Sequence, residues 1–209
     1  WSSDVCSSDL EDKWVNKFTE DGAVPGGFVA ETEAYLRCRG FKTVLDLGAG
    51  KGRGSLWLAT RGYKVTALDI SPSALAHIRR QNPEIETVCG DIAGFDGGRR
   101  RYDWVLADLS LHYWDDAKTR AIVAEIYKTL NPGGCFSVAC KSVSDFEYGQ
   151  GTEVGPDIFE HGHVRHFFRL EYLRELLQSF EIAKINECER NERHYGRYRA
   201  AEAVAFKPG

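Results

Sequence analysis

A short, almost wholly apolar run, Thr43-Val44-Leu45-Asp46-Leu47, breaks abruptly into Gly48-Ala49-Gly50-Lys51-Gly52-Arg53-Gly54. A run this short and apolar suits a parallel strand buried on both faces. Glycines at alternate positions permit backbone angles closed to other residues and let the main chain approach a ligand. Residues 55–60 then have helical character and stop at Gly62. Strand, glycine turn and helix in that order set unpaired N–H groups of a helix start beside bare backbone. That is a device for holding a nucleotide or a cofactor.

The alternation continues down the chain. Residues 64–69 read as a second strand, and Ser71-Pro72 opens a helix to about Asn82, with Ser as N-cap and Pro at the first helical position. A third strand at 85–89 leads into Gly90-Asp91, and a Gly- and Arg-rich loop covers 94–101. A fourth strand spans 102–109. Ile122, Val123, Ile126 and Leu130 recur at helical spacing in 115–130, which Asn131-Pro132-Gly133-Gly134 closes. A fifth strand covers 135–141, a polar irregular stretch 142–169, and a helix 170–179. Two last strands, 180–188 and 197–206, have no helix between them. The pattern predicts an α/β fold: a Rossmann-like, doubly wound, mostly parallel seven-stranded sheet with an antiparallel edge hairpin at the C-terminus.

With 209 residues the chain has room for one domain with a sizeable core. The sequence predicts a single domain over 11–209, with 11–40 as a helical cap over the ligand end of the sheet and 142–169 as a covering loop. Residues 1–10 back-translate to a string resembling a widely used sequencing-library adapter, so they are set aside as an artefactual tail. The sequence holds no Met, and a natural start is expected to be missing. A net charge of −4 gives no basic field, so no nucleic-acid partner is expected. No apolar stretch approaches the ~18 residues of a membrane span, so none is expected to cross a bilayer. The six Cys form no C-x-x-C pair, which argues against a disulfide framework or a zinc site and for a reduced, cytoplasmic protein.

Which ligand the loop takes is narrowed by what it lacks. No G-x-x-x-x-G-K-[ST] string is present, and neither Gly48 nor Gly50 starts a G-x-G-x-x-G. What stands there is Asp46-x-Gly48-x-Gly50-x-Gly52. Asp69 closes the second strand, Gly90-Asp91-Ile92 follows the third, Asp108 lies at the end of the fourth and Asn131-Pro132-Gly133-Gly134 precedes the fifth. In this order the motifs resemble those of class I S-adenosylmethionine-dependent methyltransferases. Leu109-Ser110-Leu111-His112-Tyr113 and the histidine-rich 161–168 resemble the small bacterial members near the tellurite-resistance and thiopurine-methyltransferase-like proteins. The resemblance implies S-adenosyl-L-methionine as cofactor, held by Asp46, Gly48, Ala49, Gly50, Gly52, Asp69, Ile70, Asp91, Ile92 and Asp108. Within it, Asp69 accepts hydrogen bonds from the ribose hydroxyls and the Asp91 region meets the adenine amine.

The resemblance implies methyl transfer by in-line displacement to a small-molecule acceptor. Strand C-termini line the ligand crevice of such sheets, so residues 108–114 are expected beside the acceptor. His112 is the candidate general base, because an imidazole titrates near neutrality, and Tyr113 is the candidate aromatic wall. His161 and His163 alternate as on one side of an extended segment, and no Cys or third carboxylate accompanies them, so no metal site is predicted. Two alternatives stay open: a methyltransferase acting on protein or nucleic acid, and a cofactor-binding module without catalysis.

Overall fold

The computed structural model describes residues 25–96, 100–192 and 196–209. The tail at 1–10 and residues 11–24 of the expected cap lie outside them; of the rest of the cap, helix α1 spans Gly27–Leu36. The sheet begins with β1 (Thr43–Leu47), followed by α2 (Arg53–Thr60), β2 (Lys64–Asp69), α3 (Pro72–Gln81) and β3 (Glu86–Cys89). Then come β4 (Tyr102–Asp108), α4 (Asp116–Thr129) and β5 (Leu130–Lys141). Three short strands follow, β6 (Thr152–Gly155), β7 (Ile158–Glu160) and β8 (Val164–His166). The chain ends with α5 (Leu170–Leu176), β9 (Glu181–Glu192) and β10 (Gly196–Phe206).

The seven-stranded sheet has the order β3-β2-β1-β4-β5-β10-β9. Its first five strands are parallel, and β10 runs antiparallel to both β5 and β9. This is the expected doubly wound sheet with its antiparallel C-terminal pair. Strand alternation divides the core into two layers. Val44, Trp104 and Leu106 face α1, α2 and α3 through Phe28, Leu58, Leu75 and Ile78. Leu45, Leu47, Val105 and Ala107 face α4 and α5 through Ile122, Ile126, Leu173 and Leu176. Asp46 shares the parity of Val44, so its carboxylate points to the α2 side rather than to the other layer.

Two sequence expectations are revised. The 142–169 segment is not irregular throughout, because β6, β7 and β8 form a three-stranded antiparallel sheet. Tyr148, Phe159 and Phe167 pack edge to face beneath it, with ring centroids 5.1–6.0 Å apart. Asp157 pins it by accepting from Arg169 Nε (2.6 Å), Arg169 Nη2 (2.7 Å) and the Tyr148 hydroxyl (2.7 Å). Second, β5 starts at Leu130, not at Cys135. Its register on β4 shifts between Tyr102 and Trp104, so Asn131-Pro132-Gly133-Gly134 is a bulged strand entry as well as a helix stop.

Candidate active site

The sheet order reverses between β1 and β4, and the crevice over their C-terminal ends is where such sheets bind ligands. The glycine turn leaves β1 there, and Leu109-Ser110 leaves β4 against it. A Cβ on Gly48 would stand 2.5 Å from Ser110 Cβ, so the two chain segments meet too closely for any side chain. Gly50 differs. Its φ is +56° and a Cβ there would meet nothing within 4 Å, so bare backbone faces open space. Leu109 holds φ +55°, a left-handed turn uncommon outside glycine, and it swings the chain from β4 toward His112.

Asp69 closes one side of this space. Its Oδ2 accepts from the Gly50 N–H (2.7 Å) and its Oδ1 from the Ser71 N–H (2.9 Å). Each oxygen keeps a second lone pair, so the carboxylate shapes the turn and still has acceptor capacity. Helix α3 is capped by Ser71, which accepts from the Ala74 N–H, so Asp69 is not its cap. Asp91 is exposed; its Oδ1 accepts from the Ala93 N–H (2.8 Å) and caps a short turn. Ile92 is buried under Gly48, whereas Ile70 is 41% exposed and offers an apolar face beside Asp69.

Two carboxylates lie deeper. Asp46 is buried and accepts from the Ser55 hydroxyl at 2.6 Å, tying β1 to the start of α2. Burial pushes its pKa up to about 6, against the Ser55 bond that lowers it. Asp108 Oδ1 is shut off from solvent and has no hydrogen-bond partner among the described residues. Burial, then the nearby Glu192 charge, pushes its pKa up to about 7, with Arg53 opposing. Glu192 is the hub that sequence reasoning missed. Its Oε1 accepts from the Gly27 N–H (3.1 Å) and the Tyr198 hydroxyl (3.2 Å), and Arg53 pairs with it. These contacts bring α1, α2, β9 and β10 together at Asp108.

His112 is buried, with Nδ1 unpartnered among the described residues. Burial first, then the charges of Arg165 and Lys141, hold its pKa well below the ordinary value, so it is neutral at pH 7. The Tyr113 ring lies 4.6 Å from the His112 ring and 5.6 Å from that of His163, and burial pushes its pKa up to about 12. The three late histidines separate. His161-Gly162-His163 is not extended; Gly162 has φ +75° and closes the β7–β8 turn. His163 reaches Arg165, while His166 packs on Phe168 and Tyr172. Among the described residues no three His, Cys, Asp or Glu side chains are grouped to hold a metal ion.

Residues 44–134 match the family model described as a methyltransferase domain. A probable S-adenosylmethionine-dependent methyltransferase of Mycolicibacterium smegmatis is 31% identical over 149 residues, which are 70% of this chain and 54% of that protein. The probable S-adenosyl-L-methionine-dependent methyltransferase TehB of Haemophilus influenzae is 28% identical over 140 residues, 65% of this chain and 47% of its own. The chain thus spans about half the length of these curated relatives. The crystal structure of that TehB superposes with a TM-score of 0.69 at 21% identity, covering 94% of this chain and 66% of its own. The Burkholderia thailandensis 1,6-didemethyltoxoflavin-N1-methyltransferase, solved with 1,6-didemethyltoxoflavin and S-adenosylhomocysteine, gives 0.69 at 22% identity, covering 96% and 83%.

Proposed function

We propose that the chain is an S-adenosylmethionine-dependent methyltransferase acting on a small-molecule acceptor, on the ground that residues 44–134 match the methyltransferase-domain model and that the fold superposes on that of TehB. The observation that carries this reading is the open left-handed Gly50 held by the Asp69 carboxylate at the switch point of the sheet. A second support is Asp108 Oδ1, a buried acceptor without a donor, since such a group costs about 1–3 kcal/mol unless a ligand meets it.

The residues present fit an adenosyl amino acid. Asp69 would take the ribose hydroxyls with its remaining lone pairs, Ile70 and the Asp91-Ile92 turn would border the adenine, and Asp108 would face the ammonium. Gly48, Ala49, Gly50 and Gly52 would supply close main chain, and Asp46 would brace that turn from below through Ser55. When bound, S-adenosylmethionine supplies a methyl group already activated by its sulfonium charge. The chain's own part is to align the acceptor and exclude water, which is worth roughly 7–11 kcal/mol. His112, neutral at pH 7, would take the proton from an acceptor that must lose one. Tyr113 stays protonated and can donate a hydrogen bond to the acceptor.

A small-molecule acceptor accords with the 1,6-didemethyltoxoflavin bound by the Burkholderia enzyme and with the malonyl-[acyl-carrier protein] O-methyltransferase of Enterobacter lignolyticus, 37% identical over 101 residues. A cytoplasmic location accords with the free Cys38, Cys89, Cys135, Cys140 and Cys188. No helix among the described residues is long and apolar enough to cross a membrane. The test is calorimetric titration with S-adenosylhomocysteine, with NAD as control, followed by a labelled-methyl transfer screen over thiols, amines, hydroxyls and carboxylates. Saturable binding of S-adenosylhomocysteine and transfer to one acceptor class are expected. Preference for NAD would sink the reading.

A further inference from the structure

Where the small sheet closes over the end of β5, two cations are buried together. Lys141, the last residue of β5, has a side chain only 13% exposed; it donates to Asp145 Oδ1 at 3.0 Å and reaches Glu147 Oε1 at 2.8 Å. Arg165, in β8, has a side chain 10% exposed and pairs with Glu147 Oε2. Its Nη2 lies 2.7 Å from His163 Nε2, and its Nε is buried without a partner among the described residues.

The two carboxylates that answer these cations are unlike. Asp145 has a side chain 1% exposed, and it also accepts from the backbone N–H groups of Glu147 (3.0 Å) and Arg199 (2.8 Å). It is a fixed part of the wall. Glu147 has a side chain 49% exposed and stands on the turn that leads to Gly149. Its carboxylate reaches in from solvent and sets one oxygen on each cation. Withdrawing it would leave a buried guanidinium without a counter-ion, which is costly unless another anion takes the place. The place also adjoins the reaction crevice: the His163 ring that touches Arg165 is 5.6 Å from the Tyr113 ring, and the Asp69 charge is felt at the Tyr113 hydroxyl.

We propose that Glu147 occupies the seat of the acceptor's own carboxylate, and that Lys141 and Arg165 bind an acceptor bearing a carboxylate by exchanging it for Glu147. The exchange is neutral in charge. A guanidinium and an ammonium side by side suit the two oxygens of one planar carboxylate better than a spherical or tetrahedral anion. The carboxylate anchors the acceptor, and a separate nucleophile on the same molecule faces the methyl donor. Specificity for the acceptor then resides in β5 and β8, away from the glycine turn. This rests on the methyl-transfer reading for what the anchored molecule is used for, but not for the anion seat itself.

Malonate serves as the probe, titrated at fixed ionic strength against sulfate and chloride into the wild-type chain and Glu147→Gln. With the internal carboxylate gone, malonate should bind Glu147→Gln about 10-fold tighter than wild type, the size expected for freeing hydrogen bonds to charged groups. It should also bind tighter than sulfate. In the wild-type chain malonate should show weaker saturable binding that Arg165→Lys, which keeps the charge and loses the fork, reduces further; this arm needs no change at Glu147. The proposal is overturned if Glu147→Gln gains nothing for malonate, or gains equally for sulfate and chloride. S-adenosylhomocysteine titrated in parallel separates the two readings. Its binding unchanged beside a failed malonate arm removes the anion seat alone, whereas its absence in the wild-type chain removes the methyltransferase reading.

Discussion

The two halves of the crevice differ in sign. Over β1, β2 and β4 stand Asp46, Asp69 and Asp108, with Glu192 behind them and Arg53 as the paired cation. Over β5 and the small sheet stand Lys141 and Arg165, with neutral His112 between the halves. The halves also differ in construction. One βαβ unit builds most of the acidic half, in which Asp69 accepts from the N–H of Ser71, two residues on, and from that of Gly50, nineteen residues back. The stretch between β5 and β8 builds the basic half, where Arg165 pairs with Glu147 and the charges of Arg165 and Lys141 act on His112. A sulfonium cofactor with an ammonium suits the first; an acceptor with an anionic anchor suits the second. One sheet edge can therefore keep its donor half while the other half is varied with the loops.

Substitutions at two glycines should separate binding from folding within the acidic half, and they carry the largest effects. Gly50→Ala places a methyl in open space, so stability should fall by only about 1–2 kcal/mol from the left-handed backbone. A methyl wedged against a bound ligand should cost up to about 3 kcal/mol, roughly 100-fold in S-adenosylhomocysteine affinity by calorimetry. Gly48→Ala should do the reverse, because its Cβ would lie 2.5 Å from Ser110 Cβ. Overpacking and φ +76° together should remove about 3 kcal/mol from the denaturant-unfolding free energy. If both variants lose stability alike, Gly50 does not face a ligand space.

Ser55→Ala should cost about 1–3 kcal/mol in chemical denaturation, since it strips the buried Asp46 carboxylate of its hydroxyl donor. A neutral result would mean that Asp46 does not brace the turn. The smallest effect is a proton. The pKa of Asp108 in the fold is about 7, above the roughly 3.9 of an unfolded chain. Its burial therefore costs nothing below the unfolded value, and that cost grows as pH rises through the folded one. A bound ammonium favours the ionised form, so cofactor binding near pH 6 should release up to about one proton. Calorimetry in two buffers of different ionisation enthalpy reads this directly. Zero release would place the ammonium elsewhere.

The three aspartates of the acidic half were legible in sequence because each stands in a strand that the apolar pattern marks. Strand period, glycine spacing and the Ser71-Pro72 helix start fix where Asp46, Asp69 and Asp108 stand relative to Gly50. The seven-stranded sheet and its C-terminal pair followed from the same punctuation. The basic half was not legible for the opposite reason. Strands β6, β7 and β8 are three or four residues long, too short to show a period, and their cohesion comes from Tyr148, Phe159 and Phe167 meeting in space. Lys141 gave no signal beyond being the last residue of an apolar strand. Arg165 was overlooked among the histidines of 161–168, although a lone arginine in an aromatic stretch is itself a cue. Glu192 and Arg53 pair although 139 residues apart in sequence, which no spacing rule reaches.

The central claim is that a carboxylate at the end of β2 grips the sugar of an adenosyl cofactor over a bare glycine turn. Titration of Asp69→Ala with S-adenosylhomocysteine, with circular dichroism to verify the fold, tests it most directly. Losing two hydrogen bonds to a charged group should weaken binding by about 100-fold while the spectrum is kept. Wild-type affinity in that variant would contradict the account.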